Sequence, residues 1–496
     1  MASASKSASQ ILLGATLGKL INLVTMVLIT PIIGPEGFGN LVVVGIITGI
    51  FIVIIDVGFE QYYIVKVKLD GPDMTSQEEV KKIEDIVFYM RLYSNIVLFV
   101  LQFSASYLLA GKFLHHPADT FLRILSFSYL CSIFGKINEV RFRKRINFKY
   151  IAYAKIISDS VSSIVKVVLV FTGFGINGWA IGTVVGVLVN AIVLSLRGKY
   201  IPGSRKIEAK WWKEVFWFAK HSWLTGLGMY LQQQTHNIIL KSFFPLRSIG
   251  FFQFGYSYTV DIQLGITSPQ GSLIVPYISN LQHNKQQLIK SITQIIISFL
   301  MLMGPFIIAG FAFTKELIVL VFGVKWLFAT NIVKVFLFFI LFRLCYAPLL
   351  GSISALGKMR ESSILAFINF FTIAISLSIT AYFTKNIFWY ALVFVAANIV
   401  SDVLKSSWGL RFLKISWIDI LKPTFIHFFL MGILLAGFIG INYLLPGMNS
   451  FIRLGIIAAG IILYYVAQYF FNARDVQMMI AKVNIVLKRK SPQPAV

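Results

Sequence analysis

Long runs of apolar residues constrain this chain more than any other feature. A helix needs about 20 apolar residues in succession to cross the hydrocarbon core of a bilayer. Because a backbone in that core must satisfy its own hydrogen bonds, each such run predicts a helix. We therefore predict an all-α integral membrane protein with about 14 transmembrane helices. The runs fall near residues 10–33, 38–65, 84–111, 118–141, 150–173, 176–197, 215–242, 249–276, 286–312, 327–354, 361–383, 387–410, 420–444 and 450–473.

The composition agrees with a membrane protein and argues against a soluble one. Hydrophobic residues make up 57% of the 496 residues and charged residues only 13%, too few to cover a soluble surface. The first run, from Ile11 to Ile33, is too long for the apolar core of a signal peptide and is followed by no small-residue cleavage site. We interpret it as the first transmembrane helix.

The basic residues predict the orientation. One alternating set of loops carries 27 lysines and arginines, whereas the other set carries six. Since basic loops stay in the cytoplasm, both termini are predicted to be cytoplasmic. The same rule explains the net charge of +25 without a nucleic-acid partner.

A faint internal repeat suggests two halves. In two places a Leu-Gly pair precedes a proline by the same spacing, and a glycine follows the proline shortly afterwards. The first copy is Leu17, Gly18, Pro35 and Gly39, and the second is Leu227, Gly228, Pro245 and Gly250. Repeats of this kind are common in transporters. We predict an N-terminal lobe of six helices (1–197), a C-terminal lobe of six (198–411), two further helices (412–473) and a basic cytoplasmic tail (474–496).

Charged residues inside the predicted helices are the candidate functional residues. Each costs about 3 kcal/mol or more at mid-depth, so it normally faces a cavity or a partner. Snorkelling at helix ends explains some of them, and pairing within one helix turn would neutralise Lys136 with Glu139, Lys155 with Asp159, and Lys405 with Asp402. Four cations fit these two explanations least well, with no acid three or four residues away, and are the candidate substrate-binding cations: Lys19, Arg91, Lys166 and Arg343.

Two further groups of polar residues allow two interpretations each. Asp56 and Glu60 lie four residues apart on one helix face. They would either form ion pairs, in which Asp56 pairs with Lys19, or form a protonation or cation site for coupling. Gln232, Gln233 and Gln234, with Asn22 at the position equivalent to Gln232 in the repeat, would hydrogen-bond either sugar hydroxyls or neighbouring helices.

No enzyme constellation is present in the sequence. There is no P-loop, and His115 and His116 stand without the further ligands that a metal site requires. The predicted outer loops are short, and no soluble domain is large enough to hold chemistry. The short loops disfavour a membrane glycosyltransferase or polymerase. We expect neither enzymatic activity nor a cofactor or metal.

Several short motifs resemble those of polysaccharide and oligosaccharide flippases in the multidrug/oligosaccharidyl-lipid/polysaccharide exporter superfamily. Their order and spacing carry the resemblance, which extends over the first twelve predicted helices. The motifs are Gly34-Pro35-Glu36-Gly37-Phe38-Gly39, Asp56-Val57-Gly58-Phe59, Arg145-Ile146-Asn147-Phe148-Lys149, Gly173-Phe174-Gly175-Ile176-Asn177-Gly178-Trp179-Ala180 and Phe322-Gly323-Val324-Lys325-Trp326.

The resemblance implies a fold and a cargo. The fold would be two six-helix lobes in a V-shaped arrangement plus two C-terminal helices, in the bacterial cytoplasmic (inner) membrane. The cargo would be a polyprenyl-diphosphate-linked glycan, with membrane lipids and other polysaccharide assembly proteins as partners. Lys19, Arg91 and Arg343 would then attract the diphosphate, while Asn22, Gln232 and Gln233 would contact sugar. A drug or small-metabolite exporter of the same fold is the alternative, disfavoured because intramembrane cations repel cationic drugs.

Overall fold

The computed structural model describes residues 2–55, 58–69, 74–111, 114, 116–203, 208–261, 284–350, 358–445 and 447–472. Helices dominate these residues, which contain no β-strand beyond one isolated bridge between Ala110 and Leu114. The all-α fold class predicted from the sequence is therefore confirmed. The chain divides into two compact units, unit 1 (Met1–Gln253) and unit 2 (Phe254–Val496).

Unit 1 begins with a long helical segment that is really two helices. Its helices are α1 (Ala2–Ile55), α2 (Phe59–Lys66), α3 (Gln77–Leu108), α4 (Ala118–Lys144), α5 (Phe148–Leu169), α6 (Gly175–Gly198), α7 (Ala209–Phe243) and the start of α8 (Leu246–Tyr256). Gly34 interrupts α1 with a φ of 69°, which L side chains rarely adopt, and Pro31 and Pro35 flank it. Gly173, with a φ of 97°, separates α5 from α6. Both breaks lie where the sequence predicts loops between spans.

Unit 2 has the same helical character. After α8 it contains α9 (Lys285–Ala312), α10 (Thr314–Phe322), a 3-10 turn (Val324–Ala329), α11 (Thr330–Leu350), α12 (Met359–Thr384), α13 (Ile387–Leu413), α14 (Trp417–Leu444) and α15 (Ser450–Phe471). A buried apolar cluster joins α9, α11, α14 and α15, and Phe313 packs edge-on against Phe438 at 5.3 Å between ring centroids. The two C-terminal helices are thus packed into unit 2.

The described helices support a multi-span membrane protein. Ten segments of the described residues are long and apolar enough to cross a membrane, and two of them, Leu17–Ile55 and Phe148–Gly198, each cover two predicted spans. Large apolar side chains such as Phe470 and Phe383 are exposed, as lipid contact requires. The predicted span at 249–276 continues beyond the described residues, and α7 is not among the ten because it carries charges and three glutamines. The count of fourteen spans stays a prediction.

The repeat noticed in the sequence has a structural counterpart. A Cβ on Gly39 would overlap the carbonyl group of Leu246, and a Cβ on Gly250 would overlap the carbonyl group of Pro35. The two glycines therefore let two proline-containing turns approach each other reciprocally within unit 1.

Helix α7 packs against α1 in this structure. Trp223 Nε1 donates to the Val53 carbonyl at 2.8 Å, and Tyr230 Oη donates to the Ile46 carbonyl at 2.6 Å. The sequence analysis assigns α7 to the second lobe, whereas these contacts place it in unit 1. The proposed lobe boundaries stay a prediction.

Candidate functional site

Lys19 and Asn22 occupy an exposed face of α1. They are one helix turn apart, so their side chains lie on the same side of the helix, and both are exposed. The neighbouring Gly18 is buried, and a Cβ there would overlap the carboxylate of Asp159 on α5. Among the described residues Lys19 has no ion-pair partner, and Asp56, its predicted partner, lies outside them. An exposed ammonium on a membrane-spanning helix has to reach water or an anion.

Two lysines of helix α5 lie in different surroundings. Lys155 pairs with Asp159 at 3.0 Å, as the spacing predicted. Lys166 is 9% exposed and lies over the Trp179 ring, with its ammonium 5.4 Å from the ring centroid. The structure therefore encloses Lys166 between α5 and α6. Its placement favours a packing role over the predicted contact with substrate.

Arg91 lies in a small cleft between α2, α3 and α4. The cleft is lined by apolar side chains and by Glu60, Arg91 and Lys136. Glu60 lies 3.8 Å from the Lys136 ammonium and 3.2 Å from Arg143 Nη1. Lys136 also pairs with Glu139 at 3.1 Å, as predicted from their spacing. Glu60 therefore belongs to an ion-pair network, which favours ion pairing over a coupling site. Its partners Lys136 and Arg143 both lie on α4.

Two buried carboxylates on α3, missed by the sequence analysis, organise one end of unit 1. Glu84 is 4% exposed; its Oε1 lies 2.8 Å from Arg141 Nε and accepts a hydrogen bond from Tyr63 at 3.1 Å. Asp85 is 1% exposed and accepts hydrogen bonds from Tyr200 Oη at 2.5 Å and from the Gly203 amide at 3.1 Å. The signal in the sequence is an acidic pair within an apolar helix, which predicts buried partners.

The same end of unit 1 is tied to α7 and to the segment after α6. Tyr62 Oη donates to Glu214 Oε1 at 2.8 Å, and Lys66 pairs with the same oxygen at 3.1 Å. Burial and the hydrogen bond to Asp85 raise the pKa of Tyr200 well above its usual range, so Tyr200 stays protonated as a donor. These contacts stabilise the helix ends.

In unit 2, Arg343 has an acidic partner from another helix. Its Nε lies 4.0 Å from the Asp402 carboxylate, and its guanidinium lies 5.6 Å from the Phe339 ring centroid. Asp402 is 6% exposed, so the pair is largely buried. The spacing rule used on the sequence considers only neighbours within a helix and could not find this partner.

The glutamines of α7 are partly accessible. Gln233 is exposed, while Gln232 and Gln234 are half-buried. Asn237 Nδ2 donates to Gln234 Oε1 at 2.9 Å, so one amide is used within the helix. Of the three glutamines, Gln233 is therefore the most accessible, and Gln234 is engaged within its own helix. Among the residues described, no group of three His, Cys, Asp or Glu side chains could hold a metal ion.

Comparison with known proteins identifies both a family and a fold. The family described as "Polysaccharide biosynthesis protein" matches residues 28–331, more than half of the chain. The solved structure of the lipid II flippase MurJ in an inward closed conformation aligns with a TM-score of 0.66 at 14% identity, covering 92% of this chain and all of the other. An inward-facing multidrug resistance MATE family transporter of the MOP superfamily aligns with a TM-score of 0.57 at 14% identity, covering 80% and 94%. No curated protein sequence matches. At such identities the structural likeness shows the fold alone.

Proposed function

Because this chain belongs to the polysaccharide biosynthesis protein family, we propose that it flips a polyprenyl-diphosphate-linked oligosaccharide from the cytoplasmic to the outer leaflet for export of a surface polysaccharide. The family supports the glycan pathway, and the fold shared with a lipid II flippase and a multidrug transporter supports alternating access. The polyprenyl-diphosphate cargo is the specific part of the proposal.

The exposed ammonium of Lys19 is the observation that carries this proposal. Its neighbour Asn22 is exposed on the same face, so a ligand can contact a cation and an amide side by side. A diphosphate head needs cations, and sugar hydroxyls need groups that both donate and accept hydrogen bonds. Lys19 would bind the diphosphate, and Asn22, Gln232 and Gln233 would contact the first sugars.

The other three predicted cations have more specific roles in this proposal. Arg91 lies in a cleft beside Glu60 and Lys136, which belong to an ion-pair network with Glu139 and Arg143, so we expect it to act through this network. Lys166 supports the packing of α5 on α6. Arg343 supports unit 2 through Asp402. We therefore expect Lys19 to matter most for transport.

The membrane potential favours the proposed direction. An inside-negative potential moves anionic charge outward with about 2.3 kcal/mol per charge at 100 mV. The ion pairs of Glu60 with Lys136 and Arg143 suit a structural role, so Glu60 is not our candidate for ion coupling. Asp56 lies outside the described residues and stays a candidate for coupling or pairing.

Removing the protein tests the proposed cargo. Cells that lack this chain should accumulate a lipid-linked glycan whose sugars face the cytoplasm, because synthesis continues while flipping stops. Mass spectrometry of extracted lipids, with and without enzymatic digestion of outward-facing glycans in intact cells, identifies the cargo and its leaflet. Accumulation of outward-facing, unpolymerised glycan would instead indicate a polymerase and contradict the proposal.

A drug exporter is the second candidate, because the fold is shared with a multidrug resistance transporter. An exposed lysine on a membrane helix repels cationic drugs, so we expect no export of a cationic dye. Dye efflux from cells that overproduce the chain measures this directly. Efflux that depends on the protein would favour the drug exporter.

A further inference from the structure

The buried carboxylate of Asp402 in unit 2 pairs with a cation from another helix. Asp402 lies on α13 and is 6% exposed, and Arg343 Nε on α11 lies 4.0 Å from it. The two helices pack against each other, with the Phe336 and Phe394 rings 6.0 Å apart between centroids. The spacing in the sequence instead predicts that Asp402 pairs with Lys405, one turn later on the same helix.

Lys405 is thereby left without a direct acidic partner. Its side chain is half-buried on α13, and it forms neither an ion pair nor a hydrogen bond with the described residues. It lies near enough to Asp402 and Arg343 to be attracted by the first and repelled by the second. Two cations therefore share one carboxylate, and the direct pair is the one with Arg343.

The other acids described in unit 2 do not neutralise Lys405. Glu316 pairs with Arg453 at the start of α15. Asp419 accepts a hydrogen bond from the Ser416 amide at 3.0 Å and caps α14. Glu361 lies in the first turn of α12 and forms no ion pair with either cation among the described residues. The ammonium of Lys405 thus remains available to an anion that the chain itself does not supply.

An ammonium on a membrane-spanning helix has to reach water or an anion. Snorkelling is the simpler explanation for Lys405, which lies about 12 Å along α13 from the helix end at Leu413. Two features favour an anion instead. The fold places Arg343 beside Lys405, and two neighbouring cations raise the cost of leaving the site without a counter-charge. Lysine also carries three donors on a flexible stem, which suits a phosphate group that moves through the protein.

We propose that Lys405 contacts the diphosphate of the cargo during transport, while Arg343 stays with Asp402 and holds α11 against α13. This inference rests on the proposed function, because it takes the cargo to be a polyprenyl diphosphate. The sequence selects Arg343 as a substrate-binding cation because no acid lies near it on its own helix. Packing of α11 against α13 exchanges the roles of the two cations.

Binding of a charged and an uncharged lipid measures this contact. The full chain in phosphatidylcholine nanodiscs is titrated with a polyprenyl-diphosphate sugar or with its uncharged polyprenol counterpart, and bound lipid is counted by native mass spectrometry. We expect Lys405→Gln to weaken binding of the diphosphate lipid about tenfold, because a charge-assisted hydrogen bond is lost, and to leave the uncharged lipid unaffected. Arg411→Gln is the matched control. Arg411 is exposed in the last turn of the same helix, so its loss should change neither affinity.

A double variant separates Lys405 from Arg343. Arg343→Gln with Asp402→Asn removes one charge of each sign, so neither partner is left buried alone and the net charge is kept. We expect this variant to bind the diphosphate lipid as the wild-type chain does. If it loses binding while Lys405→Gln keeps it, Arg343 makes the contact and the proposal is overturned. Asp261, whose side chain lies outside the described residues, is left unchanged in every variant.

The remaining outcomes separate this inference from the proposed function. Equal loss of both lipids by Lys405→Gln, with a lower thermal unfolding midpoint, would show that Lys405 is structural. Phosphatidylglycerol that competes as well as the diphosphate lipid would assign Lys405 to an ordinary phospholipid and also contradict the inference. A wild-type chain that prefers the diphosphate lipid, with unchanged binding by Lys405→Gln, would refute this inference alone. A wild-type chain without that preference would refute the proposed cargo, and this inference with it.

Discussion

The exposed face of α1 and the N-terminal end of α3 place similar cations in opposite surroundings. At the end of α3, Arg141 meets a carboxylate that is 4% exposed, Glu84, at 2.8 Å. On α1, Lys19 is exposed and has no acidic partner among the described residues. Whether a cation holds helices together or stays accessible to a ligand therefore depends more on its surroundings in the fold than on its residue type.

Arg141→Ala should destabilise the protein most. It leaves Glu84 buried without its cation and removes the donor to the Gly198 carbonyl, a loss of about 3–5 kcal/mol for a broken buried pair. The measurement is the thermal unfolding midpoint in detergent together with the amount in the membrane. Arg141→Ala with Glu84→Gln should recover part of the loss, and Lys149→Ala, exposed nearby, should have little effect. Normal stability of Arg141→Ala would contradict the claim that the pair of Arg141 with Glu84 stabilises the fold.

Arg343→Ala should have a smaller effect of the same kind. Arg343 lies 4.0 Å from Asp402, farther than Arg141 lies from Glu84. We expect the free energy of unfolding to fall by about 2 kcal/mol, because a buried carboxylate is left without its cation. Arg343→Ala with Asp402→Asn should be more stable than Arg343→Ala alone, as measured by thermal unfolding. If the double variant is the less stable one, Asp402 does not depend on Arg343.

Gly39→Ala tests the reciprocal turn contact in unit 1. The new methyl group would overlap the carbonyl group of Leu246, so we expect a loss of about 1–3 kcal/mol. Gly45→Ala, in the same helix with open space around it, should be neutral or stabilising by up to about 1 kcal/mol. Unfolding midpoints that fall equally in both variants would show that the close approach is unimportant.

Local features of the sequence predicted much of the fold. The helix breaks at Gly34 and Gly173 follow from glycine and proline, and the pairs Lys136–Glu139 and Lys155–Asp159 follow from helix periodicity. These signals depend on residues a few positions apart, so they can be found without knowing which helices are neighbours.

The candidate site was predicted less completely, since ion pairs between helices depend on packing. The pairs of Arg343 with Asp402 and of Arg141 with Glu84 join residues far apart in the sequence. Lys166 had no acid nearby in the sequence, yet the fold buries it beside Trp179. Lys19 is the predicted cation whose exposure fits contact with a ligand best.

Lys19→Ala should change stability least. The side chain is exposed and unpaired within the described part of the chain, so we expect the free energy of unfolding to stay within about 0.5 kcal/mol of the wild-type value. Lys19→Arg keeps the charge and is the matched control. A large loss of stability in Lys19→Ala would point to a structural partner such as Asp56.

Transport by these Lys19 variants is the most direct test of the central claim. The measurement is the rate at which purified protein in proteoliposomes moves a polyprenyl-diphosphate-linked oligosaccharide across the bilayer, read as accessibility of its sugars to an impermeant lectin. We predict translocation by the wild-type chain, partial translocation by Lys19→Arg and none by Lys19→Ala, with all three equally stable. Wild-type translocation by a stable Lys19→Ala, or no translocation by the wild-type chain, would contradict the account.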